Sequence, residues 1–324
     1  MNKRILITGG AGFIMSHVVD EAIHQGYDVC NVDAMLEGSC QNNLNPKARH
    51  VNGYVEDVEF MQDVVRGVRP DLVIHGAALS NVDTSIKTPL EFNYNYVATA
   101  TLCQVLKEEN YSGILVHIGT DEEYGAFDYA SAAGAESNGF TEQSKLNPTS
   151  SYAVSKVASS LIALSYWKTW GLRVRVTRCS NNYGIRQQDK LIPTIFKKLH
   201  QQEKIPIFKT PARRNWLHVE DHVSAMFHVA EHGQDGEVYN VSSNENLSPR
   251  EIVEIMMGEN NANAHIVEVP DRLAYDLVYK INSQKLRNTG WEPKHSIKDQ
   301  LPNMIQWYLR AYEQGYFANG NTTD

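Results

Sequence analysis

Apolar positions in the first half of the chain follow two alternating patterns. Short runs dense in Ile, Val and Leu lie at 4–8, 28–33, 71–76, 114–119 and 173–177. Such unbroken β-branched runs predict strands buried on both faces. Longer stretches near 13–25, 57–67, 89–110 and 150–170 space their apolar residues as helices with a buried face do. Strand and helix in alternation define an α/β protein with a parallel sheet. Right-handed crossovers make that sheet doubly wound, of Rossmann type.

The pattern loosens beyond about residue 180. Helices are predicted near 189–202, 220–232, 248–258 and 296–314, and short strands near 205–208, 237–241 and 265–269, punctuated by Pro193, Pro206, Pro211, Pro249 and Pro270. We expect a smaller mixed α/β domain leaning on the sheet. The sheet domain is expected to comprise 1–178 plus 216–242, and the smaller one 179–215 plus 243–318. The polar tail 319–324 is expected to fray.

Composition narrows the class. Thirty Lys and Arg against 38 Asp and Glu give a net charge of −8, which argues against a nucleic-acid-binding surface. A few local arginines can still hold a phosphate. The four cysteines, Cys30, Cys40, Cys103 and Cys179, show no CxxC spacing, so a reduced, cytoplasmic protein is expected. No signal peptide and no membrane-spanning apolar run is read from the sequence.

The first strand runs into Thr8-Gly9-Gly10-Ala11-Gly12-Phe13-Ile14-Met15. A glycine turn between strand and helix lets backbone N–H groups approach a pyrophosphate at the helix N-terminus. Asp33 ends the second strand, where a carboxylate accepts from ribose hydroxyls and repels a 2′-phosphate, so NAD is expected rather than NADP. Met15 stands where a third glycine is usual, and a helix held further from the sheet is one expectation.

The chemistry gathers at two places. Tyr152 and Lys156 open a helix four residues apart and share a face, and an ammonium there favours a phenolate base. The fourth strand ends in Gly119-Thr120-Asp121-Glu122-Glu123-Tyr124-Gly125, at the strand terminus where α/β sheets bind ligands. Thr120 can hydrogen-bond a reacting oxygen there. Adjacent carboxylates divide acid and base roles when their environments differ. Glu123 is accounted for by a water-facing loop; Asp121 and Glu122 are less easily so.

These residues resemble the nucleotide-sugar 4,6-dehydratases of the extended short-chain dehydrogenase/reductase family. The likeness runs over nearly the whole chain. Besides the glycine turn and the Tyr152/Lys156 pair it includes Val82-Asp83, Ser85-Ile86, Thr120-Asp121-Glu122, Tyr124-Gly125, Cys179-Ser180-Asn181-Asn182-Tyr183-Gly184, Lys190-Leu191-Ile192-Pro193, Val219-Glu220-Asp221-His222 and Gly290-Trp291. The Asp121-Glu122 pair is its most specific element, generally lacking in related epimerases and decarboxylases.

The resemblance implies a mechanism and a site. Tyr152 takes the proton of the carbon-4 hydroxyl as hydride passes to NAD, Lys156 holds the ribose and favours the phenolate, and Thr120 steadies the carbon-4 oxygen. Glu122 removes the carbon-5 proton, Asp121 protonates the departing carbon-6 hydroxyl, and hydride returns to carbon 6. The implied cofactor residues are Gly9, Gly12, Phe13, Ile14, Asp33, Val55, Ala77, Ala78 and Asn95, with Tyr152 and Lys156. Ser80, Asn181, Lys190, Leu191, Arg214 and Arg272 are implied for the nucleotide-diphosphate hexose, with dTDP-glucose the first expectation and UDP-glucose the next.

Several positions depart from the family pattern. Tyr54 replaces an aspartate near adenine, Asn81 and Thr84 replace a His and an Arg, and Glu123 replaces a small apolar residue. Lys209-Thr210-Pro211 replaces a glycine-rich turn, and Leu273-Ala274-Tyr275 interrupts the stretch after Arg272. The alternatives are a nucleotide-sugar epimerase or decarboxylase, and a degenerate NAD-binding regulatory protein. No metal is expected: His218 and His222 have zinc-helix spacing, but Val219 follows His218 where that motif needs glutamate. Apolar residues on more than one face of 89–110 and 150–170 predict a homodimer through a four-helix interface.

Overall fold

The structure is a computed structural model and describes residues 3–128, 138–188, 190–243, 245–258, 261–262, 265–271, 273 and 276–317. Seven strands form the main sheet: β1 (Arg4–Thr8), β2 (Asp28–Asp33), β3 (Arg49–Asn52), β4 (Leu72–His75), β5 (Ile114–Thr120), β6 (Val174–Cys179) and β10 (Val238–Val241). Their order is β10-β6-β5-β4-β1-β2-β3, and every pairing is parallel. The winding reverses between β1 and β4, and the crevice beyond their carboxyl ends is where such sheets take ligands.

Successive strand residues face opposite sides, so each strand feeds two cores. Ile5, Ile7, Val29, Ile74 and Val116 pack with α1 (Phe13–His24) and α7 (Val219–His232). Leu6, Cys30, Val32, Val73, Leu115 and Val174 pack beneath α2 (Val58–Val68), α4 (Asn93–Glu108) and α5 (Ser151–Trp170). The ends of α5 are written in its sequence. Ser150 caps it by accepting from Ala153 N–H, and Gly171, at φ +74°, closes it in the left-handed conformation.

The helix expected over 89–110 is broken. Pro89–Phe92 forms a 3₁₀ turn ahead of α4, and a short helix, α3 (Val82–Lys87), precedes it. Strand β10 joins the main sheet as its seventh member beside β6.

The smaller part is built on β9 (Arg213–His218), flanked by β11 (Asn246–Leu247), β13 (Val278–Tyr279) and β7 (Asn181–Tyr183), with β8 (Ile205–Phe208) and β12 (Ile266–Val269) paired apart. Strand β9 crosses the expected boundary at 216 and belongs wholly to this sheet. Around it lie α6 (Leu191–His200), α8 (Pro249–Met257) and, after α9 (Gln284–Arg287), which packs on β10 of the main sheet, α10 (Ile297–Glu313), with Tyr183, Phe196, Trp216, Ile252, Leu301 and Tyr308 at the core that α6, α8 and α10 share. No helix among the described residues is long and apolar enough to cross a membrane.

Candidate active site

Strand β1 ends at the glycine turn. Gly9 has φ +81°, and a Cβ there would stand 2.9 Å from the backbone of Ala77, so glycine lets the ends of β1 and β4 meet. Gly12 opens α1, and no side chain caps that helix, which leaves its positive end at Phe13 and Ile14 open to an anion. Asp33 braces the turn: Ala11 N–H donates to Oδ2, and Met35 N–H and Ser39 Oγ donate to Oδ1, each at 2.8 Å. A carboxylate oxygen has two acceptor sites, so Asp33 keeps capacity for ribose hydroxyls. An open helix N-terminus beside a strand-end acid fits a dinucleotide.

Met15 does not stand in the turn. Its side chain is buried against β4, where a Cβ on Gly76 would lie 2.4 Å from the sulfur. The room that a glycine on the helix usually gives is supplied here by a glycine on the strand. Of the other implied cofactor residues, Val55 is in the core, Ala77 N–H donates to Thr8 Oγ1 and Ala78 is exposed. Asn95 is fully engaged. Its oxygen accepts from Leu79 N–H, and its amide donates to Leu79 O and Ser155 Oγ. It therefore shapes the 77–80 loop and bears on the cradle through that loop.

At the carboxyl end of β5 the chain tightens into a 3₁₀ turn, Asp121–Tyr124, capped by Thr120. The Thr120 hydroxyl accepts from Glu122 N–H at 3.3 Å, donates to Asp121 Oδ1 at 3.4 Å and hydrogen-bonds the Tyr152 side chain. One hydroxyl thus touches both a carboxyl and a phenol. Asp121 is buried and its Oδ2 has no partner. Burial first, and then the charge of Glu122, push its carboxyl up to about 8, against a downward pull from Arg214. Glu122 is only half-buried.

Burial, followed by the charge of Glu122, also pushes the Tyr152 phenol well above its usual range, against the Thr120 hydrogen bond. The lowered phenol expected from Lys156 is therefore not what burial and the charge of Glu122 produce here. Burial pulls Lys156 down, opposed first by Glu123 and then by Cys179. Glu123 is not in a water-facing loop: it is 0% exposed and paired with Arg178.

On the sugar side, Lys190 Nζ donates to Ser80 O at 3.1 Å, and both line a cleft with Leu79, Asn81, Phe92 and Gln188. Leu191 opens α6, which no side chain caps. Asn181 Oδ1 and Ser180 Oγ are buried without a partner, as Asp121 Oδ2 is, so unmatched polar atoms collect at the carboxyl ends of β5 and β6. Buried polar atoms are rarely left so, and a ligand is one way to satisfy them. Arg214 donates to the carbonyls of Arg213, Asp276 and Leu277 and lies 4.3 Å over the Tyr279 ring. Arg272 lies outside the described residues.

Sequence reasoning missed Tyr279 and Asp276. Tyr279 Oη and Thr149 Oγ1 both donate to Asp276 Oδ2, and the charge of Glu122 reaches the Tyr279 phenol. Strand β13 has only two residues, too few for any periodicity to mark them. His222 is tied through Nδ1 to Asn182, whereas His218, Glu220 and His295 bring potential ligand atoms within 4.8 Å of one another. The His218 and His295 rings are tilted by 33° with centroids 4.4 Å apart, and carboxylate oxygens of Asp221 and Glu220 lie 2.8 and 3.2 Å from the His295 ring nitrogens.

The chain belongs to the NAD dependent epimerase/dehydratase family, which it matches over residues 5–242. It is 35% identical to the dTDP-glucose 4,6-dehydratase of Streptomyces niveus, covering 94% of this chain and 92% of that one. Among solved structures it resembles the dTDP-glucose 4,6-dehydratase of Streptomyces venezuelae with NAD bound, with a TM-score of 0.88, 34% identity, and 96% and 98% of the two chains covered. It also resembles the UDP-glucose 4-epimerase of Thermotoga maritima, with a TM-score of 0.87, 26% identity, and 95% and 99% covered.

Proposed function

We propose that the protein is an NAD-dependent nucleotide-sugar 4,6-dehydratase, a hydro-lyase that converts dTDP-glucose, or next in preference UDP-glucose, to the 4-keto-6-deoxy sugar. The observation that carries this reading is the turn after β5, where two adjacent carboxyls of unlike environment flank the Thr120 hydroxyl and the Tyr152 phenol. Asp121, held protonated near neutral pH by burial, suits the acid at the carbon-6 oxygen. Glu122, half-buried, suits the base at carbon 5. Tyr152 takes the carbon-4 hydroxyl proton, Thr120 steadies that oxygen, and Lys156 supplies positive charge beside the phenol. Hydride transfer out of carbon 4 and back to carbon 6 is the chemistry that NAD supplies when bound.

Gly9, Gly12, Phe13, Ile14 and Asp33 would hold the dinucleotide from the turn side, with Val55, Ala77, Ala78 and Asn95 shaping its cradle. Ser80, Asn181, Lys190, Leu191, Arg214 and Arg272 would take the nucleotide-diphosphate hexose. We read the dinucleotide domain as 1–178 plus 216–242 and the sugar domain as 179–215 plus 243–318, except that 216–218, the end of β9, pair within the sheet of the sugar side. The four cysteines, all buried and free, favour a reducing cytoplasmic setting. Assembly is as a homodimer through α4 and α5.

The dehydratase names of relatives at 34–35% identity support this over the epimerase likeness at 26%. The test is incubation with dTDP-, UDP-, CDP- and GDP-hexoses under mass detection. Loss of water from dTDP-glucose is the expected result. Inversion at carbon 4 without water loss would make the protein an epimerase.

A further inference from the structure

Glu123 stands where the family pattern has a small apolar residue, and it is completely buried. Its carboxylate accepts three hydrogen bonds. Arg178 Nε donates to Oε2 at 2.7 Å; Ser160 Oγ and Thr120 N–H donate to Oε1 at 3.0 and 3.1 Å. A Cβ on Gly119 would stand 2.4 Å from Oε1, so the backbone beside the carboxylate has room for it only because residue 119 is glycine. Arg178 is buried too. It donates to Tyr124 Oη at 2.9 Å, and that hydroxyl donates to Asn240 Oδ1.

These contacts tie three elements together. Thr120 begins the catalytic turn, Ser160 lies one helical turn beyond Lys156 on α5, and Arg178 precedes Cys179 on β6. A buried ion pair is often no more stabilising than an apolar pair of the same volume. Stability alone is thus a poor reason for a carboxylate here.

The groups facing Lys156 give a better one. The charge of Glu123 on the turn, and then that of Cys179 on β6, holds Lys156 up against burial, while Lys156 acts in turn on His117 of β5 and His75 of β4; Tyr152 lies one turn earlier on α5. Burial holds the Cys179 thiol and the Tyr152 phenol up and both imidazoles down, so all four are neutral near pH 7. Among these groups Glu123, paired with Arg178, supplies the negative charge.

We propose that Glu123 is a positioning residue of this site: its one carboxylate fixes the Thr120–Glu122 turn to α5 and is the shared counter-charge for the cations of Arg178 and Lys156. This rests on the assignment of Tyr152 and Lys156 as the base and its ammonium. The carboxylate supplies two things an apolar residue cannot give: an acceptor for the Thr120 N–H, and an anion whose charge opposes the downward pull of burial on Lys156.

Glu123→Gln tests it by keeping size and an acceptor oxygen while removing the charge. The alkaline limb of carbon-4 oxidation, followed as NADH absorbance in the Asp121→Asn background, should move down by about one pH unit or more, the effect of removing a close opposite charge. A substrate-free readout is ¹⁵N-lysine NMR, with the Lys156 resonance assigned by its loss in Lys156→Arg. Lys156 should titrate at lower pH in E123Q by a like amount. E123Q/R178M removes both members of the buried Glu123–Arg178 pair and serves if E123Q does not fold; Lys156 should again titrate below wild type. A lower melting temperature and a uniformly slower rate, with the Lys156 titration unmoved, would overturn the proposal. If the wild type dehydrates no nucleotide sugar, the functional reading fails, while the NMR titration still decides the role of Glu123.

Discussion

Asp121 and Glu122 are neighbours in sequence and unlike in surroundings, and the roles proposed for them follow that difference. A carboxyl that is buried and short of partners keeps its proton, and one that reaches solvent gives it up. Asp121→Asn and Glu122→Gln should each lower turnover by about 10²–10⁴-fold, the usual cost of losing a positioned acid or base. Both variants should still reduce bound NAD at carbon 4, because that step uses Tyr152, Lys156 and Thr120. Glu122→Gln alone should stop exchange of the carbon-5 proton with deuterated water, read by mass spectrometry. The Asp121 carboxyl sits at about 8, so the acid is present below that pH and lost above it. kcat should fall as pH rises through about 8, and Asp121→Asn should lack that limb at its own low rate. A wild-type profile that is level from pH 7 to 9 would remove Asp121 as the acid.

At the scale of elements, Met15 and Gly76 act as a pair. The helix carries the larger residue and the strand the smaller one, so α1 packs on the sheet with the roles of helix and strand exchanged. Gly76→Ala should destabilise the fold by about 1–3 kcal/mol, the usual cost of overpacking a core. Met15→Ala in the same background should recover part of that loss, and additive effects in denaturant melts would show that the two residues are not coupled.

The main strands were legible in the sequence because burial on both faces leaves an unbroken apolar run. Strand β3 was not, since Arg49-His50-Val51-Asn52 has one apolar residue at a sheet edge. Nor was β9, whose Arg213-Arg214-Asn215 start is largely buried through hydrogen bonds rather than apolarity: Arg214 is tied to carbonyls, and Asn215 donates to Ser243 O and accepts from Ile281 N–H. In the site, Thr120, Asp121, Glu122, Tyr152 and Lys156 could be read because a strand end and a four-residue helical step place them. The burial of Glu123 could not, because its partner Arg178 lies 55 residues away.

Over the whole molecule, α4 and α5 lie side by side and expose several large apolar side chains. Leu102, Val105 and Leu106 point into the core and are 0% exposed. Leu90, Tyr94, Tyr96, Val97, Val154, Leu161, Trp167 and Trp170 are exposed, with Leu90 at 81% and Leu161 and Trp170 at 52%. So many large apolar side chains exposed on two adjacent helices and the turn before them are more than the single exposed residues a monomer tolerates. A second copy related by a twofold axis would bury the same face of both chains and make a four-helix core. In such an interface one substitution enters twice. Leu161→Glu would set two like charges into an apolar seam, while in the monomer it would sit in water with little effect on the fold. Wild-type protein should therefore sediment as a dimer at micromolar concentration. Leu161→Glu and Val97→Glu should each sediment as monomers with a helical signal close to wild type. A monomeric wild type, or a Leu161→Glu variant that remains dimeric, would remove this face as the interface.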